Sequence, residues 1–447
     1  MFKYGKNIKL LKWWYRMCGI GLRIKRVKYF VILFVFLLFI AQFSNSFAMS
    51  CIKQKPYIQQ NAKWTIIVYF CSDNDLEDDA IDALNHMELV GSDAQLNIVA
   101  QIDDYNCWGG ETRRYCVTYD NDLTTINSIL ADNDTSEKDM DEGQTFIDFV
   151  CWTTDNYPAE YYCVIVYDHG TGWHGVCYDD SDGNVSDCIT IDELEVCLSN
   201  ISNHIGKSLD ILCFNACEMG TIEVFYQIRE YIDIGIASQL PQYNNLPYHL
   251  FLGDLKNNIS WTPKRFAEEI VNDSFKWEDH AVDEISAHWA EEIPNVVEKV
   301  DTLVEELNQS LPSCYFFIRK AIDHSLHDYH HFDLFDFASE IKKWMFFSHS
   351  VKTAAQNVMD AIESAVFARQ PQKYGDNKYY KGFSIYLEYR PSFYNIKYEN
   401  TQFAIDTNWD EFLRSYLNIT IKSVLCDAFL KVNGNIRNNI EAKICSI

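Results

Sequence analysis

A cysteine and a histidine occupy matching positions in this chain. Cys217 follows the apolar run Leu209 to Phe214 and precedes Glu218-Met219-Gly220. The run Tyr161 to Tyr167 ends in the same way, in Asp168-His169-Gly170. A thiol and an imidazole, each at the tip of a buried strand, suit nucleophilic catalysis. The imidazole takes the thiol proton and the thiolate attacks a carbonyl. A glycine after the histidine lets the backbone approach a substrate, and the amides of Gly170 and Cys217 suit an oxyanion hole.

For that chemistry the two residues must meet, and the surrounding elements predict that they do. Trp64–Phe70, Gln95–Ile102, Tyr161–Tyr167, Leu209–Phe214 and Ile232–Ala237 read as strands, with another at Arg114–Tyr119. Helical patterns cover 75–87, 144–154 and 219–231, and Thr190-Ile-Asp-Glu193 is a capping box that opens a helix to about His204. Near-continuous apolar strands separated by helices give an α/β fold with a mostly parallel sheet flanked by helices. The strand–helix–strand unit at 161–214 returns the chain parallel, so His169 and Cys217 emerge at one sheet edge. Cys217 is expected close to the N-terminus of the helix after it, a place that favours the thiolate.

Composition limits the partners. The 447 residues carry a formal charge of −26, and the first 48 contain nine Lys or Arg and no acid. The remainder holds 29 basic and 64 acidic residues, a net of −35, which repels nucleic acid and anionic lipid. Residues 1–48 read as a signal peptide or an N-terminal anchor: basic residues up to Lys28, the apolar run Tyr29–Phe43, then Ser46 and Ala48, which suit cleavage after Ala48. A start at Met17 and a lipid-modified Cys51 are alternatives. The protein is thus expected outside the cell or at its surface, touching a membrane only if that segment is retained. The 15 cysteines form no CxxC pairs, and several lie in strand runs, where a thiol behaves as a small hydrophobe.

The ordered motifs resemble the clostripain family of cysteine peptidases, in the clan of caspases, legumains and gingipains. They are Val68-Tyr69 with Ser72-Asp73-Asn74-Asp75-Leu76-Glu77, Asp168-His169-Gly170-Thr171-Gly172-Trp173, Ala216-Cys217-Glu218-Met219-Gly220, Ala237-Ser238, Leu246-Pro247-Tyr248 and Gly382-Phe383-Ser384-Ile385-Tyr386. The resemblance implies a caspase-like catalytic domain at 60–255 and a mainly helical region at 256–447 that returns a strand near 382–388 to the sheet. It implies an endopeptidase acting through a thioester acyl-enzyme, with protein or peptide substrates and no required cofactor. Asp168 is a candidate to modulate His169, and no third member of a triad is evident.

The resemblance also locates a departure. Relatives carry an acid two residues before the cysteine, on the floor of the pocket that takes Arg or Lys. Here that residue is Asn215, and Gln239, after Ser238, stands where relatives often have Glu. Asn215, Ser238 and Gln239 are the candidate substrate-binding residues, and a neutral floor suits either weak acceptance of Arg through nearby acids or a preference for Asn or another uncharged side chain. The alternative reading is a weak or inactive pseudopeptidase that binds peptides. The loop at 179–187 holds no basic residue, so self-cleavage after one is excluded there. Its acids Asp179, Asp180, Asp182 and Asp187 loosely resemble a calcium loop, without the glutamate of an EF-hand. His280, His288, His324, His327, His330, His331 and His349 crowd the last third in no metal-ligand spacing and are expected to face solvent.

Overall fold

The computed structural model describes residues 62–103, 110–180, 187–276, 284–370, 373–374 and 378–418. The chain divides into Met1–Tyr57 and a compact unit Ile58–Ile447. All described residues lie in the second unit, so the expected signal segment lies outside them. The boundary expected near residue 256 does not divide this unit. No helix among the described residues is long and apolar enough to cross a membrane.

In chain order the strands are β1 (Ala62–Phe70), β2 (Leu96–Ile102), β3 (Arg113–Cys116), β4 (Ile129–Leu130), β5 (Ala159–Tyr167), β6 (Gly175–Val176), β7 (Ile189–Thr190), β8 (Leu209–Asn215), β9 (Ile232–Ala237), β10 (Ile285–Trp289), β11 (His327–Asp328), β12 (His331–Asp333), β13 (Val366–Gln370), β14 (Lys373–Tyr374), β15 (Lys378–Tyr379) and β16 (Ser384–Tyr386). The helices are α1 (Glu77–Glu88), α2 (Gly143–Asn156), α3 (Ile191–Ile205), α4 (Ile222–Ile228), α5 (Tyr248–Asn257), α6 (Pro263–Asp273), α7 (Ile293–Ser310), α8 (Tyr315–His324), α9 (Leu334–Lys343), α10 (His349–Ala365), α11 (Gln402–Asp406) and α12 (Trp409–Asn418).

Nine strands form the main sheet in the order β13-β10-β9-β8-β5-β1-β2-β3-β4. The five central strands, β9 to β2, pair in parallel, and each edge adds two antiparallel strands. The central strands are mainly apolar because both faces of the sheet are covered there. Ile67, Tyr69, Val164, Val166, Leu212 and Phe214 enter one core, with α2, α3 and the C-terminal helices. Ile66, Val68, Cys163, Ile165, Ile211 and Cys213 enter the other, beneath α1, α5 and α6. The capping box forms as expected: the Thr190 side chain accepts from Glu193 N–H, and Glu193 reaches back.

The C-terminal region joins the main sheet differently from the expectation. β10 and β13 lengthen it by one edge. The segment near 382–388 instead contributes β16 to a separate three-stranded sheet with β12 and β11. Ser384 N–H donates to Gly220 O at 2.9 Å, so this small sheet abuts the turn that follows Cys217. The histidines do not all face solvent: His288 is fully buried between Phe225 and Phe383, which pushes its pKa down to about 3.

Candidate active site

β5 and β8 are neighbours, with Tyr167 opposite Asn215. His169 and Cys217 each lie two residues beyond that pair, so the strand register sets them level at the carboxyl edge of the sheet. Both line a cleft of about 260 Å³, together with Tyr167, Asn215 and Gln242. Gly170 packs on the Cys217 main chain so closely that a Cβ there would meet Cys217 O at 2.4 Å. Only glycine allows the two loops to touch. Gly170 also bridges Val176, but the two hydrogen bonds of that bridge use Thr171 N–H and His169 O. They leave the Gly170 N–H outside the pairing.

His169 has a partner that sequence reasoning missed. Its Nε2 lies 2.8 Å from Asp75 Oδ1. The pairing with His169 holds the Asp75 carboxyl below the usual carboxylate range. A proton on Nε2 shared with Asp75 leaves Nδ1 as the basic nitrogen. Asp75 belongs to the quoted Ser72–Glu77 motif, but 94 residues separate it from His169. Asp168 does not touch the imidazole in this way. It is buried, accepts from Asn74 Nδ2 at 2.8 Å and from the Tyr178 N–H, and thereby pins the loop after β5 to the loop after β1. Burial pushes it up to about 7, against the pull of the Tyr178 N–H and the His169 charge.

The turn after Cys217 also differs from the expectation. α4 begins only at Ile222, capped by the Thr221 side chain, which accepts from Val224 N–H. Glu218 intervenes with φ 59°, and one of its carboxylate oxygens lies 3.1 Å from His331 Nδ1. Cys217 is therefore not in the first turn of a helix. Burial pushes its thiol up, the Gln242 N–H draws it back, and the charges of Glu218, Asp168 and Asp328 push it further. The net effect is upward, which disfavours the thiolate form.

The model of the clostripain family matches residues 68–416. The chain belongs to the clostripain family of cysteine peptidases. The clostripain of Hathewaya histolytica is 25% identical over 426 residues, covering 78% of this chain and 79% of that protein. A secreted C11 cysteine protease from Bacteroides thetaiotaomicron, solved with an irreversible peptide inhibitor, superposes with a TM-score of 0.58 at 18% identity. The superposition covers 78% of this chain and all of that one. An inactive zymogen C11 protease from Parabacteroides distasonis gives 0.58 at 19% identity, over 78% of this chain and 99% of its own. Both share the fold described above.

Against that family background, the three candidate substrate-binding residues have separate places. Asn215 is buried at the end of β8 and lines the cleft. The Ser238 hydroxyl closes a tight turn, donating to Leu240 O and accepting from Leu240 N–H. Gln239 turns into the interior, where its N–H meets Glu284 and its Nε2 meets Asp333. The segment that follows, Leu240 to Asn245, crosses the cleft, a role its sequence did not signal. Leu240 O accepts from Glu218 N–H, and Gln242 N–H donates to Cys217 Sγ at 3.2 Å.

The acidic loop after β6 is only partly gathered. Asp179 is buried and accepts from Met140 N–H, Asp180 N–H donates to Asp73 O, and Asp187 is exposed. Asp182 lies outside the described residues. Asp179 instead meets Asp73 and Asp103, with carboxylate oxygens within 4.8 Å of one another. Asp103 Oδ2 is buried and has no hydrogen-bond partner.

Proposed function

We propose that this chain is an exported cysteine endopeptidase that uses Cys217 as nucleophile and His169 as base and acid. The observation that carries this reading is the β5–β8 register, which brings both residues to one cleft. His169 Nδ1 takes the thiol proton as Sγ attacks the scissile carbonyl. The oxyanion forms against the amides of Gly170 and Cys217. His169 then returns the proton to the leaving amine, and a water activated by the same imidazole hydrolyses the thioester. Asp75 orients the ring. Residues 1–48 support export, and Asn215 in place of an acid argues against a basic side chain in the first pocket.

The test is whether full-length protein cleaves an unfolded protein such as reduced casein, and whether a peptide bearing a thiol-reactive ketone labels Cys217. Both signals should vanish in Cys217→Ala. Cleavage that persists in that variant would overturn the assignment. Absence of cleavage and labelling in the parent would leave a peptide-binding pseudopeptidase instead.

A divalent cation belongs to the same proposal as a structural ligand. Asp73, Asp103 and Asp179 are buried at the carboxyl ends of β1 and β2 and after β6, and the orphan Asp103 oxygen offers one ligand position. Three carboxyls this close need a proton or a cation between them. We expect millimolar calcium to raise the thermal midpoint of the protein relative to EDTA, and Asp103→Asn to abolish the difference. Equal midpoints in calcium and EDTA would mean that a proton does this work.

A further inference from the structure

Asn215 can face the cleft in only one way. Its Oδ1 accepts from the Leu246 backbone N–H at 3.0 Å and from the Tyr248 hydroxyl at 3.1 Å. A backbone N–H can only donate, so the atom opposite it must be the oxygen. Leu246 and Tyr248 are both buried, which locks the amide. The remaining end, Nδ2–H, points into the cleft as a donor. It is met there by the side chain of Gln242, whose Oε1 accepts at 3.1 Å.

Gln242 sits in this place as a substrate residue would. Its N–H lies 3.2 Å from Cys217 Sγ and its carbonyl oxygen 3.6 Å from the same sulfur. One residue of the chain thus sets its main chain against the nucleophile and its side-chain carbonyl against the pocket floor. Its Nε2 is buried without a partner, so the resident side chain is held in the pocket through its carbonyl alone.

From this geometry we infer that the first specificity pocket selects glutamine, a long uncharged side chain whose carbonyl accepts from Asn215 Nδ2. The inference rests on the peptidase reading above and names the substrate class of that site. A Lys or Arg side chain would set its N–H groups against the Asn215 N–H and leave a buried donor unpaired. A glutamate could accept from Asn215, but it would bury a second carboxyl beside Asp168 on the same cleft, at a desolvation cost that a neutral amide avoids. Asparagine bears the same group on a stem one carbon shorter and falls short of the floor. Asp79 is exposed, so any attraction it exerts on a basic side chain is screened by solvent.

The test uses fluorogenic peptides that differ only in the residue before the scissile bond: Gln, Asn, Glu, Arg or Lys. We expect kcat/KM for Gln to exceed that for every other peptide by at least about tenfold, the cost of one unpaired buried group. Asn215→Asp keeps the acceptor that Leu246 and Tyr248 need and turns the floor into a carboxylate. It should lower the Gln rate and raise the Arg and Lys rates by roughly tenfold or more. Gln242→Ala removes the resident side chain and should lower KM for the Gln peptide. Arg or Lys peptides cleaved by the parent as fast as Gln would overturn the inference, as would an order unchanged in Asn215→Asp. Cys217-dependent cleavage with a basic preference sinks only this inference. Loss of all Cys217-dependent cleavage, in the parent and in Gln242→Ala, sinks the peptidase reading with it.

Discussion

His169→Ala lowers kcat by about 10³-fold, within the range that a positioned acid–base group contributes. The reason is the state of the nucleophile. Burial and the neighbouring acids push the Cys217 thiol up, and the helix that follows it, α4, begins only at Ile222. A cysteine peptidase with a preformed thiolate could retain attack without its histidine; on the mechanism proposed above, this one would lose its route to the thiolate. Asp75→Asn should cost far less, no more than about fivefold in kcat with KM unchanged. The Asp75 side chain is 84% exposed, and an exposed ion pair is worth at most ~1 kcal/mol. What it supplies is the choice of ring nitrogen and the ring's orientation. Steady-state kinetics on one peptide decide both points. A His169→Ala variant keeping more than a tenth of parental kcat removes His169 from the mechanism. A change in KM alone for Asp75→Asn makes Asp75 a substrate contact.

The strands that carry the pair were legible because burial on both faces leaves a plain trace. The apolar runs 161–167 and 209–214 contain one polar residue, Asp210, and that residue accepts from the Tyr162 N–H and pairs with Lys207 at the bottom of the strand. The crossover rule then placed their tips together. The capping box at Thr190 was equally plain, because two side chains must match for it to form. The start of α4 was misread for a local reason. Met219 continues the apolar pattern, but Glu218 adopts positive φ and Gly220 lies against Ser238, where a Cβ would meet its carbonyl carbon at 2.7 Å. The helix starts instead behind Thr221, whose side chain caps it. The edge strands β10 and β13 left little trace, being five residues each, with β13 directly following a helix. Asp75 and Gln242 were illegible as site residues because their contacts are set by loops. The Gln242 segment lies between a strand and Pro247 with no periodicity, and its place over Cys217 follows from the Glu218–Leu240 and Cys217–Gln242 hydrogen bonds.

Trp409→Ala is expected to destabilise the protein by about 3–5 kcal/mol, the usual cost of removing a large buried aromatic. Trp409 is fully buried in α12 and packs on Phe412 and Phe337, with ring centroids at 5.6 and 6.2 Å. Its indole N–H donates to Tyr386 O at 2.7 Å. The loss therefore includes a cavity and a carbonyl left without its donor. Against a total of ~5–15 kcal/mol this is a large share. The effect should also reach the cleft. Tyr386, on β16, packs edge-on against Trp173 at 5.4 Å, and Trp173 lies in the loop that begins at His169. Tyr386 N–H further donates to the buried Glu223 of α4, the helix after Cys217. The loops that carry His169 and Cys217 thus both lean on one residue that Trp409 holds. Trp409→Phe keeps most of the ring and should cost ~1–2 kcal/mol. Urea unfolding measures both variants. A Trp409→Ala loss below 1 kcal/mol would mean that α12 is an appendage rather than a support. A full loss with unchanged kcat/KM in the folded fraction would mean that the route through Tyr386 and Trp173 transmits nothing to the catalytic pair.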